Sequence, residues 1–143
     1  MKLLVSPTER RLLRLLGERG LSSSLPERFG ADILVFTPRG RLGIQRKEFP
    51  SDLFASLGDS RLTRELALMQ GLEFKWLIVE GTPTYTSDGY LMDENYSRWT
   101  RTKVRNLLRS VEIQQGVHVE GSASTAELGA GPTRWIRIPL PRP

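Results

Sequence analysis

Apolar and polar positions change period several times along the 143-residue chain, and each change marks an element. Leu12, Leu13, Leu15 and Leu16 recur at helical spacing, with Arg10, Arg11 and Arg14 left to solvent. Ser6-Pro7-Thr8-Glu9 reads as the start of that helix: a serine N-cap, proline in the first turn and glutamate three residues on, closing a capping box. Gly17 and Gly20 end it, and LSSSLPERFG follows as a linker. Residues 31–36, ADILVF, form an apolar strand entered through Asp32. TPRGR then has the Pro and Gly punctuation of a hairpin turn leading into a second strand, LGIQRK.

After Pro50, SDLFASLGDSRLTRELALMQG shows helical apolar spacing broken by Gly-Asp, which predicts two short helices or one interrupted at Gly58. FKWLIVE is the next strand, with Trp76 in the core. The polar, tyrosine-bearing stretch GTPTYTSDGYLMDEN is a hairpin or a mobile loop, and a long helix runs from about 96 to 114. GVHVEGS is a short strand, STAELG a turn or two of helix, and GPTRWIRIPLPRP is too proline-rich for a central strand. Helix, strand, strand, helix, strand, helix, strand, helix is an α/β order, a hairpin followed by strands reached through helical crossovers. The length suits one domain with its own core, and no internal repeat or low-complexity segment appears.

Composition removes several chemistries. There is no cysteine and only one histidine, His118, so disulfides, thiolate zinc sites and histidine metal clusters are excluded, and any metal must take oxygen ligands. No apolar stretch approaches membrane-spanning length and the N-terminus lacks a leader-like apolar core, which predicts an intracellular protein with no membrane partner. The net charge of +5 is carried by 17 arginines against four lysines, Lys2, Lys47, Lys75 and Lys103. Arginine's planar fork suits phosphate, so this balance leans towards nucleic acid; an arginine-rich codon usage is the alternative.

The charged end of the second strand is the candidate site. Alternate strand residues share a face, so Gln45 and Lys47 project together while Arg46 points to the other side. If ADILVF is the neighbouring strand, Asp32 joins Gln45 on that face. A carboxylate, an amide oxygen and an ammonium around one point suit a hard divalent cation, with lysine beside it to orient a water or neutralise a phosphorane-like transition state. Ordinary turn and surface pairing is the competing account of the same residues.

Taken in order, Gly30-Ala31-Asp32, Gln45-Arg46-Lys47, Asp52-Leu53, Asp59-Ser60-Arg61-Leu62 and Thr125-Ala126-Glu127-Leu128 resemble the motifs of the XPF and Mus81 type of structure-specific endonuclease, a branch of the PD-(D/E)XK superfamily. That family has Gly-Asp before the first strand, Glu-Arg-Lys, three residues and Asp at the next, then a helix and a Gly-Arg-Leu segment, and near its end a strand followed by Thr-Ala-Glu-Leu. The resemblance covers residues 30 to about 128 and implies a restriction-endonuclease-like α/β core, a central mixed sheet flanked by helices, in a single nuclease domain over 1–143. It further implies magnesium-dependent hydrolysis, with manganese as substitute, no organic cofactor, Asp32 as metal ligand, Lys47 as the catalytic lysine and Asp52 as an auxiliary acid.

Two departures stand out. Gln45 occupies the family's glutamate position, and one extra residue separates Arg46-Lys47 from Asp52. Gln45 can still offer an oxygen, but the lost charge calls for a compensating carboxylate; Glu9, Glu48 and Asp52 are the candidates. In archaeal Holliday-junction resolvases of the same superfamily a glutamate on the first helix joins the site, and Glu9 stands where it would be sought, in competition with its capping-box role.

Arg98, Arg101, Arg105 and Arg109 fall on a stripe roughly 80° wide on the long helix, opposite Val104, Leu107, Leu108 and Val111. With Arg10 and Arg14 on the first helix, and Arg46, they are the expected contacts to a DNA backbone; a solvated charged face is the alternative. Tyr85, Tyr90, Tyr96 and Trp99 either stack on unpaired bases or pack the hairpin. The expected activity is cleavage of branched double-stranded DNA, foremost a four-way Holliday junction, by a homodimer, since relatives' helix-hairpin-helix domains have no room here. Flap or splayed-arm cleavage, and a non-catalytic partner that only binds branched DNA, are the alternatives.

Overall fold

A tight turn folds β3 (Ile33–Thr37) back on β4 (Gly40–Glu48), pairing Ile33 with Ile44 and Thr37 with Gly40. In the computed structural model, which describes residues 3–122, this hairpin lies at the middle of a six-stranded sheet. The other strands are β1 (Leu3–Val5), β2 (Gly20–Ser22), β5 (Phe74–Glu80) and β6 (His118–Ser122), in the order β2-β1-β3-β4-β5-β6. β1 runs antiparallel to β3 and parallel to β2, whereas β4, β5 and β6 are mutually parallel, so the sheet is mixed.

Helices cover both faces, which makes the fold α/β as expected. On one face α1 (Arg10–Leu16) lays Leu12 and Leu16 over Leu3, Val5, Ile33, Val35, Leu42, Ile44, Trp76 and Ile78. On the other, α3 (Ser51–Gly58), α4 (Arg61–Leu68) and α5 (Arg101–Gln115) bring Leu53, Leu62, Leu66 and Val111 against Leu34, Leu77 and Val79. FKWLIVE is apolar without alternation because both its faces are covered. Each buried aliphatic side chain stabilises by about 1.5–3 kcal/mol, against at most about 1 kcal/mol for a surface ion pair. The apolar pattern therefore sets which face each strand residue takes. Among the described residues no helix is long and apolar enough to cross a membrane.

Several sequence expectations need correction. LLV pairs as β1 and GLS as β2, two strands the pattern did not show, and LPER within the expected linker is the short helix α2 (Leu25–Arg28). The capping box does not form: α1 starts at Arg10 without a side-chain cap, and the Ser6 hydroxyl donates to Glu27 Oε1 at 2.6 Å. A longer-range acceptor has taken the serine. Leu15 is exposed rather than inward, while Leu12 and Leu16 are buried on the sheet and Leu13 packs half-buried against the same cluster. The segment after Pro50 is two helices, α3 and α4.

α5 begins at Arg101, capped by Thr100, whose hydroxyl accepts from the Lys103 amide at 3.2 Å. Residues 96–99 turn instead, because Tyr96 and Trp99 pack on Phe54 of α3, with Trp99 stacked at 4.5 Å. The polar stretch before it is tied by bridges between Tyr85 and Leu91 and between Tyr90 and Thr100. The expected helix in STAELG, the tail GPTRWIRIPLPRP and the Thr125-Ala126-Glu127-Leu128 motif lie outside the described residues.

Candidate active site beside the central hairpin

The β3–β4 register sets Asp32 opposite Gln45. The Asp32 amide donates to the Ile44 carbonyl at 2.9 Å, and the Arg46 amide donates to Asp32 Oδ2 at 2.8 Å. The carboxylate is thus clamped to the strand that carries the other two candidates. Gln45 and Lys47 share the face covered by α4, as the alternation predicts, and are only 4% and 6% exposed. Lys47 Nζ donates to Glu65 Oε1 at 3.4 Å.

Asp32, Gln45, Lys47 and Glu65 line one pocket of about 220 Å³, together with Glu27, Gly30, Ala31 and Arg61. Among the described residues the Gln45 side-chain amide has no hydrogen-bond partner, yet no fully buried polar side-chain atom there is orphaned. Its polar atoms therefore open on the pocket. Among the described residues Asp32 Oδ1 meets no protein donor, the side-chain bond being made through Oδ2.

Desolvation by burial pushes the Asp32 carboxyl up from 3.8 to about 7. The Arg46 amide and the Lys47 ammonium work against that rise, while the charges of Glu9 and Glu65 add to it. Arg46 behaves in the opposite way on the other face. Burial disfavours its charge, but Glu9 and Glu80 outweigh burial and hold the guanidinium above its ordinary range.

Glu9 does not line the pocket. Its Oε2 accepts from Arg46 Nε at 3.0 Å and lies 2.9 Å from a second guanidinium nitrogen, whose neighbour reaches Glu80 Oε2 at 2.8 Å. The one carboxylate asked to serve as helix cap or metal ligand instead neutralises Arg46. Arg46, expected at DNA, is thus paired with two carboxylates, its side chain 19% exposed. Asp52 lies outside the pocket too: Oδ2 accepts from the Glu48 amide at 3.3 Å and Oδ1 sits 3.9 Å from Arg61. Glu48 is exposed, on the rim of the Arg46 cluster at 3.9 Å.

Glu65 and Glu27 were missed by sequence reasoning. Glu65 had a signal: Leu62, Leu66 and Met69 form the buried stripe of the Arg61–Gly71 segment, and Glu65 flanks that stripe on a helix covering the Gln45 face. Glu27 had none, because α2 itself was read as linker.

Arg10, Arg11, Arg14, Arg98, Arg105 and Arg109 are exposed and form no ion pair among the described residues. Arg98 precedes α5 in the turn, so the helical stripe is Arg101, Arg105 and Arg109. Arg101 lies over the Tyr85 ring at 4.9 Å. Of the four aromatics, Tyr96 and Trp99 are spent on Phe54.

The sequence matches no protein-family model and no curated protein. Among solved structures, XPF from Aeropyrum pernix superposes with a TM-score of 0.70 at 20% identity, over 96% of this chain and 66% of that one. XPF from Aeropyrum pernix in complex with DNA gives 0.59 at 20% identity, over 97% and 68%. The shared fold is that of XPF, and the chain spans about two thirds of its length.

Proposed function

We propose that this protein is a divalent-metal-dependent endonuclease of branched DNA. The observation that carries the proposal is the convergence of Asp32, Gln45 and Lys47 on one pocket, with the Gln45 amide unpartnered. The donors fit a hard cation: a carboxylate oxygen and an amide oxygen, with no sulfur or imidazole nearby. Such a cation supplies Lewis-acid polarisation of a phosphate and a water of lowered pKa. Asp32 presents Oδ1, its geometry fixed by the Arg46 amide on Oδ2. Lys47 holds a positive charge beside the attacked phosphate, positioned through Glu65, and orients the attacking water. Arg101, Arg105 and Arg109, with Arg10 and Arg14, provide sequence-independent contacts to the phosphate backbone.

Of the branched substrates, the four-way Holliday junction is preferred, cut by a homodimer whose two-fold axis matches that of the junction. The fold of the Aeropyrum pernix XPF bound to DNA supports contact with nucleic acid. A second reading, a subunit that binds branched DNA without cutting it, is favoured by one observation. Among the described residues no three acidic or histidine side chains gather as a metal cluster.

Purified protein incubated with end-labelled four-way junctions, flaps, splayed arms and linear duplex, with magnesium, manganese or chelator, separates these readings. Paired symmetric nicks in the junction with either metal, and none with chelator, are expected. No cleavage of any substrate, with junction affinity retained, leaves the binding subunit. Lys47→Ala should lower cleavage at least about 100-fold while junction affinity changes little; unchanged turnover removes Lys47 from the mechanism.

A further inference from the structure

The pocket holds a carboxylate, Glu65, used so far only to position Lys47. Gln45 leaves the strand one negative charge short, and the acids named from the sequence as compensators are spent elsewhere: Glu9 on Arg46, Asp52 beside Arg61, Glu48 on the surface. Glu65 arrives from α4. Leu62, Leu66 and Met69 press this helical segment onto the sheet, which carries Glu65 to the pocket edge opposite Lys47. Its depth there is set from the other side by Gly30, at φ +71°, where a Cβ would collide with the Glu65 carbonyl oxygen. Two residues on, Asp32 faces the same space.

We infer that Glu65 supplies from the helix the carboxylate that β4 lacks, and with Asp32 and the Gln45 amide oxygen forms the divalent-cation site. This deepens the nuclease proposal and rests on it for its purpose, though not for its chemistry. Two independent observations meet here. Carboxylates from different elements line one cavity, and Gln45, 4% exposed, turns an unpartnered amide into the same cavity. Gln45 supplies the neutral third donor. One or two carboxylates, a neutral oxygen and several waters are a usual set for magnesium. The charge of the lining also favours a dication: the carboxylates of Glu27, Asp32 and Glu65 outnumber the cationic Lys47 and Arg61, whereas without Glu65 they would only match them.

The Glu65–Lys47 contact at 3.4 Å gives Glu65 a second duty, holding the ammonium over the pocket before a cation arrives. Glu65→Gln preserves an oxygen for Lys47 while removing the charge, which makes it the informative variant.

Manganese alone is the probe, followed by calorimetric titration and by paramagnetic broadening of backbone amide signals in the full chain. The wild type should bind one ion, with broadening centred on Asp32, Gln45 and Glu65. Glu65→Gln should weaken binding at least about tenfold, and the double variant Gln45→Glu/Glu65→Gln should recover most of it, because the charge returns from the strand side. Undiminished affinity in a folded Glu65→Gln, absence of binding by the wild type, or broadening centred on Glu9, Glu48 or Asp52 overturns the inference. If Glu65→Gln does not fold, the wild-type broadening map decides. Manganese bound as expected with every DNA uncut would remove the nuclease proposal and leave the cation site standing; cleavage with unchanged affinity in Glu65→Gln would do the reverse.

Discussion

With its carboxyl pushed up to about 7 by burial, Asp32 is partly protonated near neutrality, so a cation bound there would displace protons to an extent that falls as pH rises. The folded state holds that proton above 3.8, where the unfolded chain has already released it. Stability from Asp32 is therefore fully present at low pH and is lost as pH rises from about 4 to about 7. Asp32→Asn keeps an oxygen for the Arg46 amide and removes the titration. Urea denaturation without metal should show this variant more stable than wild type at pH 8, by about 2–4 kcal/mol, with the difference shrinking towards pH 4. An equal difference at both pH values would mean Asp32 is not a buried acid. Asp32, Gln45 and Lys47 were legible because a period of two assigns faces without knowledge of partners. Glu9 and Glu65 were not: each takes its role from a residue 37 or 18 positions away, Arg46 and Lys47, and no local spacing encodes that.

At the scale of elements, the α4 segment is placed by Gly30 as much as by its own leucines. Gly30→Ala must move the helix or strain the loop, since the added methyl would meet the Glu65 carbonyl at a backbone angle of +71°. Chemical denaturation should register a loss of about 2–4 kcal/mol, accompanied by weaker manganese binding. Full stability would show that α4 has another resting place. The longer strands β3 to β6 were legible from apolar runs bounded by Gly and Pro. β1 was hidden because a strong helix-start pattern begins directly after it, and β2 because Gly-Leu-Ser has the composition of a loop and becomes a strand only by pairing with β1. The start of α5 was misplaced for a similar reason: Tyr96 and Trp99 are compatible with a helix until Phe54 claims them.

At the scale of the whole molecule, Arg10, Arg14, Arg105 and Arg109 are exposed and lie outside the lining of the candidate site. Arg105 and Arg109 are exposed on α5 and free of acidic partners among the described residues. Replacing both by alanine should weaken junction and duplex binding alike and lower the slope of log affinity against log salt by about 2, one unit per phosphate contact. A slope left unchanged would make them a solvated face. Neighbouring residues of β4 serve opposite sides of the sheet: Arg46 pairs with Glu9, just before α1, and with Glu80 of β5, while Gln45 and Lys47 face the pocket beside α4. A deletion of one codon in the first half of β4 would exchange these assignments, sending a guanidinium into the cation pocket and an ammonium against Glu9. Such a frameshift of the pleat would leave composition and hydropathy almost untouched, so a descendant carrying it would still resemble its parent in sequence yet have lost the site and its anchorage together.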